Sequence, residues 1–224
     1  MSMMAAPSQA QTATPAAKPA EGPVHIVTYV DIANSSSIKA SEILKRYRDA
    51  ARKQAANLGV DVYQEIGRVG RFAISEGWRD AKAFDANAAA EHTKQLSTAL
   101  TPLQVAPPDQ RRHDAYAMSP TPASTTPPAG VIVMTHVDVP PPLLAELEPL
   151  LKAVAEASRK EPGALGFNVL QQTSRKNHFT TVEAWQSVKA VDTHNSGSAA
   201  RQFRDKLGPM LGALYDQRLY RPIR

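Results

Sequence analysis

Two carboxylates stand one residue short of a tryptophan, in Glu76-Gly77-Trp78 and again in Glu183-Ala184-Trp185, and the second trio is followed by Asp192-Thr193-His194. In a strand, positions i, i+2 and i+4 line one face. Phe72, Ile74, Glu76 and Trp78 therefore share a side, as do Phe179, Thr181, Glu183 and Trp185. A carboxylate set among aromatics needs a partner. One outcome is a structural ion pair with an arginine near the end of each half, Arg111 or Arg218. The other is a general base whose pKa is raised by desolvation. His194 falls on a helix after the strand, from where it could point back over the sheet towards His136. Two neutral imidazoles in an apolar cleft suit removal of a phenolic proton near neutral pH. The expected catalytic set is His194, Glu183 and His136, with Trp185, Phe179, Phe167, Trp78, Glu76 and Tyr29 around the substrate. His92 is a weaker candidate. Each has a structural alternative: tryptophans filling the core, His194 capping its helix beside Asn195-Ser196-Gly197, His136 hydrogen-bonded within its strand.

The elements that must position these residues occur twice. At a constant offset of 107 residues, 27 of 91 pairs from Val24 to Asp114 are identical, among them Thr28/Thr135, Phe72/Phe179, Glu76/Glu183, Trp78/Trp185 and Asp109-Gln110-Arg111/Asp216-Gln217-Arg218. A self-similar unit of this length is a small domain, not a solenoid turn. Each copy opens on a β-branched run (24–32, 131–139), continues into a helical stretch (38–57, 143–160) and then two strands joined by short polar turns. The strands span 60–66 and 71–78, then 166–172 and 178–185. A second helical region (80–100, 187–207) and a last strand (110–118, 214–220) complete it. The order βαββαβ is the ferredoxin-like split arrangement. The expected fold is α+β, two such units packed sheet to sheet as an intramolecular α+β barrel. The expected organisation is a tail at 1–22, a first unit at 23–118, a Pro/Thr-rich linker at 119–130 and a second unit at 131–224.

Composition excludes several chemistries. Without cysteine there is no disulfide, thiolate or iron–sulfur site. The six histidines are dispersed, which argues against zinc or mononuclear iron. Phosphate loop, nucleotide fingerprint, nucleophile elbow and His-Glu-x-x-His helix are all missing. A net charge of +5 comes without a basic run, so no nucleic-acid partner is expected. No stretch is apolar and long enough for membrane insertion by a helix. The Ala/Pro-rich start reads as disordered. Ser8-Gln9-Ala10 resembles a small-residue signal-peptidase site, although the preceding residues do not supply a full leader. The expectation leans to an exported, periplasmic protein whose start lies further upstream, the alternative being a cytoplasmic chain with a loose tail.

The run Pro162-Gly163-Ala164-Leu165-Gly166-Phe167, then Glu183-Ala184-Trp185, then Asp192-Thr193-His194 resembles the antibiotic biosynthesis monooxygenase family. The likeness covers residues 131–223 and, more weakly, 24–118. It implies a dimeric α+β barrel, here as a single-chain pseudo-dimer that could pair further as a homodimer. It also implies oxidation of a small aromatic or quinol-type compound by dioxygen with no cofactor and no metal. The first copy departs from the pattern, with Asn87 in place of His194 and Ala55-Ala56 in place of Pro-Gly. The first-strand Asn of the haem-degrading branch is replaced by Thr28-Tyr29 and Thr135-His136, which argues against haem degradation. Because one fold hosts many activities, a non-catalytic small-molecule-binding or stress-response barrel, and an isomerase or dehalogenase, remain alternatives.

Overall fold

The computed structural model describes residues 22–119 and 130–224. The expected tail and linker, and the small-residue site near Ala10, lie outside the described residues apart from Gly22, Ser119 and Gly130. The first unit contains β1 (Val24–Asp31), α1 (Ser37–Ala51), β2 (Asn57–Glu65), β3 (Arg71–Trp78), α2 (Ala81–Ala89), α3 (Glu91–Leu100) and β4 (Asp109–Ala117). The second contains β5 (Val131–Asp138), α4 (Leu144–Ser158), β6 (Ala164–Gln172), β7 (His178–Trp185), α5 (Val188–Ser196), α6 (Ser198–Leu207) and β8 (Asp216–Pro222). None of these helices is long and apolar enough to cross a membrane.

The eight strands close into one antiparallel barrel in the order β1-β3-β2-β8-β5-β7-β6-β4. The two sheets face each other and also join edge to edge, β2 on β8 and β4 on β6. Closure leaves no unpaired edge in either unit, which removes a template for aggregation. The internal repeat is exact in register: Val24 faces Trp78 as Val131 faces Trp185, and the bulges at Asn57/Gly59 and Ala164/Gly166 coincide.

Strand alternation creates three apolar layers. One face of each sheet lies under its own helices, where Ile26, Phe72 and Ile74 meet Ile43, Leu44 and Leu100, and where Phe167, Val169 and Phe179 meet Leu147, Leu151 and Leu207. The opposite faces share the barrel interior, with Val27, Tyr29, Tyr63, Ile132, Met134 and Tyr220. Leu147 and Leu151 are fully buried, and each such side chain stabilises by roughly 1.5–3 kcal/mol.

The second helical region of each unit, read from sequence as one run, is two helices. The break falls at Ala90 and Gly197, both with extended ψ near 155°. The caps of the leading helices follow the sequence: Asp80 accepts from the Ala83 N–H at 2.7 Å, and Ser187 accepts from the Ala190 N–H at 3.2 Å.

Candidate active site

The second unit encloses a polar hollow between its sheet and its helices. Glu183 projects into it from β7, 3% exposed. The Trp185 indole N–H donates to Glu183 Oε2 at 3.0 Å, as the two-residue spacing on one strand face allows. The Thr181 hydroxyl, on the same face, lies 3.5 Å from Oε1. His194 reaches in from α5, its ring 4.7 Å from the Trp185 ring and its Nε2 3.7 Å from Glu183 Oε2. The other imidazole nitrogen lies 3.0 Å from Glu161 Oε2. A carboxylate can only accept, so His194 Nδ1 donates to Glu161 and Nε2 is turned towards Glu183.

Glu161 is held there by the turn after α4. Gly163 has φ +85° and its absent Cβ would come within 2.8 Å of Ala190 in α5. The Gln186 N–H donates to Gly163 O at 2.8 Å. Pro162-Gly163 thus draws the turn against α5 and sets Glu161 beside His194.

Burial pushes the Glu183 carboxyl up to about 7, outweighing the hydrogen bonds from Trp185 and Thr181 that oppose the shift. Glu161 adds to the rise, and the Arg204 guanidinium from α6 counters it. Burial likewise raises the Tyr215 hydroxyl to about 12, with the Glu183 charge adding to the shift. The hollow itself has a volume of about 10 Å³, space for a single water. Its walls also include Thr135, Phe167, Phe203 and Val154. The Thr135 hydroxyl is buried with no partner at full hydrogen-bond geometry, but it stands close enough to the Tyr215 hydroxyl to oppose part of that group's upward shift.

The equivalent place in the first unit is filled. Tyr47 of α1 stands where Val154 stands in α4, and its hydroxyl donates to Glu76 Oε1 at 2.6 Å. Asn87, the counterpart of His194, donates to the Tyr47 oxygen at 3.0 Å, and its own oxygen lies 2.7 Å from His92 Nε2. Burial raises the Glu76 carboxyl, opposed first by the hydrogen bond from Tyr47. The Trp78 indole N–H, unlike that of Trp185, has no close partner. Glu76 is therefore tied into a packed core network, with Trp78 buried beside it.

Two expectations fail on strand alternation. His136 does not meet His194: it is next to Thr135 on β5 and so points to the opposite face, into the barrel interior. There its Nδ1 accepts from the Arg111 guanidinium at 3.0 Å, and its ring lies 5.3 Å from Tyr29. Burial, reinforced by Arg111, depresses its pKa to about 4. Arg111 and Arg218 likewise face away from Glu76 and Glu183, pairing with Asp109 and Asp216 at 2.7 Å. Of the expected aromatic wall, Phe167 lines the hollow and Trp185 backs it. Phe179 instead packs edge-on against Tyr116 at 5.2 Å, and Tyr29 lies in the barrel interior. Among the described residues, no three His, Asp or Glu side chains are grouped as metal ligands.

Sequence reasoning missed Glu161, Thr135, Arg204 and Tyr215. One signal was present for Glu161: the two copies change together, Glu161 with His194 in the second and Gln54 with Asn87 in the first.

The profile of the family described as antibiotic biosynthesis monooxygenase matches residues 23–98 and 130–206, once in each unit. A "putative monooxygenase" of Lactobacillus acidophilus NCFM superposes with a TM-score of 0.75 at 13% identity, covering 91% of this chain and 95% of that one. Another, from Fusobacterium nucleatum, gives 0.78 at 14% identity over 91% and 93%. An anthrone oxidase-like protein gives 0.72 at 12% identity over 92% of both chains. At these identities the likeness is one of fold, including its tandem form. An uncharacterised protein of Synechocystis, sll1783, is 24% identical over 91 residues, 41% of this chain and 62% of that protein's length.

Proposed function

Since the chain belongs to the antibiotic biosynthesis monooxygenase family, we propose that its second unit oxidises a small phenolic or quinol-type compound with dioxygen, using Glu183 and His194 as the base. The observation that carries this reading is the buried Glu183–His194 pair, with Nε2 3.7 Å from Oε2 and Nδ1 anchored on Glu161. A carboxyl titrating near neutrality is matched to proton transfer at ordinary pH.

The chain's residues would act as follows. Glu183 or His194 Nε2 removes a proton from the substrate, and Glu161 stabilises the imidazolium when His194 holds it. The Thr135 and Tyr215 hydroxyls, neighbours in the wall of the hollow, would donate to the resulting oxyanion. That electron-rich anion gives one electron to dioxygen, and the radical pair joins to form a carbon–oxygen bond. The protonated base returns its proton to the peroxide. At the carbon that takes the oxygen, loss of its hydrogen as a proton with cleavage of the O–O bond leaves a carbonyl and one water. All four electrons that reduce dioxygen come from the substrate, so no external reductant is needed.

The size of the hollow keeps a non-catalytic barrel as the rival reading, because about 10 Å³ admits no aromatic ring, as substrate or as ligand, without movement of a wall. Oxygen uptake on a panel of hydroquinones and an anthrone, with catalase and EDTA controls, decides between them. The oxygenase reading expects uptake that survives EDTA and is lost in Glu183→Gln. No uptake across the panel, together with phenol binding by calorimetry, would favour the binding barrel.

A further inference from the structure

A groove of about 200 Å³ runs between α4 and α6 on the outside of the second unit, floored by Leu150, Ala153, Ala157 and Ala199. Two side chains, Val154 and Phe203, line both this groove and the inner hollow that holds Glu183 and His194. Phe203 is 8% exposed and Val154 5% exposed, so between them they form a thin apolar partition. The first unit has the same groove, about 170 Å³ in volume, lined by residues at the same offset, Leu96 standing where Phe203 stands. There Tyr47 closes the floor and ties itself to Glu76, so the groove is a dead end.

We propose that the groove between α4 and α6 is the route by which substrate reaches Glu183, and that the Phe203 side chain is the gate. This rests on the proposed function only for the identity of what passes through. Turning Phe203 about its side-chain bonds would join about 200 Å³ of groove to the polar hollow, enough to seat a single aromatic ring against Val154 and Phe167. Rotation of one side chain needs no unfolding of the sheet and is fast on the timescale of turnover. The small residues Ala153, Ala157 and Ala199 leave room for an apolar substituent, while Gln202 and Lys206 mark the wet end.

The gate can be read without knowing the substrate. In a Trp78→Phe background Trp185 is the sole tryptophan, and it lies directly behind His194 and Glu183. Acrylamide quenching of its fluorescence then reports access of a small neutral molecule to the hollow. Phe203→Ala, and the milder Phe203→Leu, should raise the quenching constant several-fold. Adding Val154→Tyr, which installs the plug of the first unit, should return it to the parent value. Leu96→Ala in the first unit should leave it unchanged. Quenching that is the same in the parent and in both Phe203 variants would overturn the gate. So would a rise that Val154→Tyr fails to reverse, since that would reflect general loosening. Failure of the oxygen-uptake panel alone would remove the proposed activity and leave the access route standing.

Discussion

The two units share one backbone and register, yet the space under their helices is used in opposite ways. In the first, Tyr47 fills it and binds Glu76 at 2.6 Å, and Asn87 completes a closed network. In the second, Val154 leaves it hollow, and His194 hydrogen-bonds Glu161 beside the equivalent glutamate. Three positions therefore separate a core from a site: 47/154, 54/161 and 87/194. The glutamate and tryptophan, identical in the two copies, do not by themselves say which is which.

The largest effect is expected at the glutamates. Glu183→Gln should lower kcat/KM by about 10²–10⁴-fold, the usual worth of a positioned base, while Glu76→Gln should leave the rate near wild type. Steady-state oxygen uptake measures both, and equal losses would break the comparison. Tyr47→Val should destabilise the protein by about 3 kcal/mol or more, from lost packing and a Glu76 left without its donor. Chemical denaturation reads this. Val154→Thr, of similar volume in the hollow, should cost far less.

The pH dependence sharpens the contrast. Glu183 titrates near 7 when folded and near 4.5 when exposed, so the folded state binds the extra proton between those values. Its stabilising grip on the neutral form is complete below about 4.5, and stability falls as pH rises towards 7. The full cost above 7 is about 3 kcal/mol, and Glu183→Gln should flatten that decline in a melting-temperature series from pH 4.5 to 8. The groups facing Glu183, namely His194, Glu161, Arg204 and Tyr215, remain in that variant. Over the same window, kcat/KM should rise with pH as the carboxylate forms. The smallest effect is expected at Glu161→Gln, which keeps an acceptor for His194 Nδ1 but removes its charge. It should lower the rate less than Glu183→Gln and shift the pH profile of kcat/KM while sparing the melting temperature.

Most of the fold was legible because the repeat at constant offset states each element twice, and alternation along Phe72–Trp78 and Phe179–Trp185 fixes which face is buried. The barrel was expected, but not which edges close it, since the pairing of β2 with β8 and β4 with β6 joins residues far apart in the chain. The helix break at Ala90 carries no local signal, whereas Gly197 at the matching place does. In the site, Glu183 and Trp185 share a strand face as the two-residue spacing requires, and His194 lies against both. His136 was misplaced although the same period-2 rule, applied from Thr135, turns it to the far face. Glu161 was hidden because the Pro-Gly that follows it reads first as a helix stop, and its partner lies on another helix. Arg204 and Tyr215 reach the hollow only through the packing of α6 and the approach to β8.

The most direct measurement compares His194→Ala with Asn87→Ala, the two variants at one position of the repeat, by oxygen uptake on the same quinol or anthrone with melting temperature recorded for each. A site confined to the second unit predicts that His194→Ala loses activity with its fold intact, and that Asn87→Ala keeps activity even as it loses stability. Equal loss of activity in the two, or activity retained in His194→Ala, would contradict it.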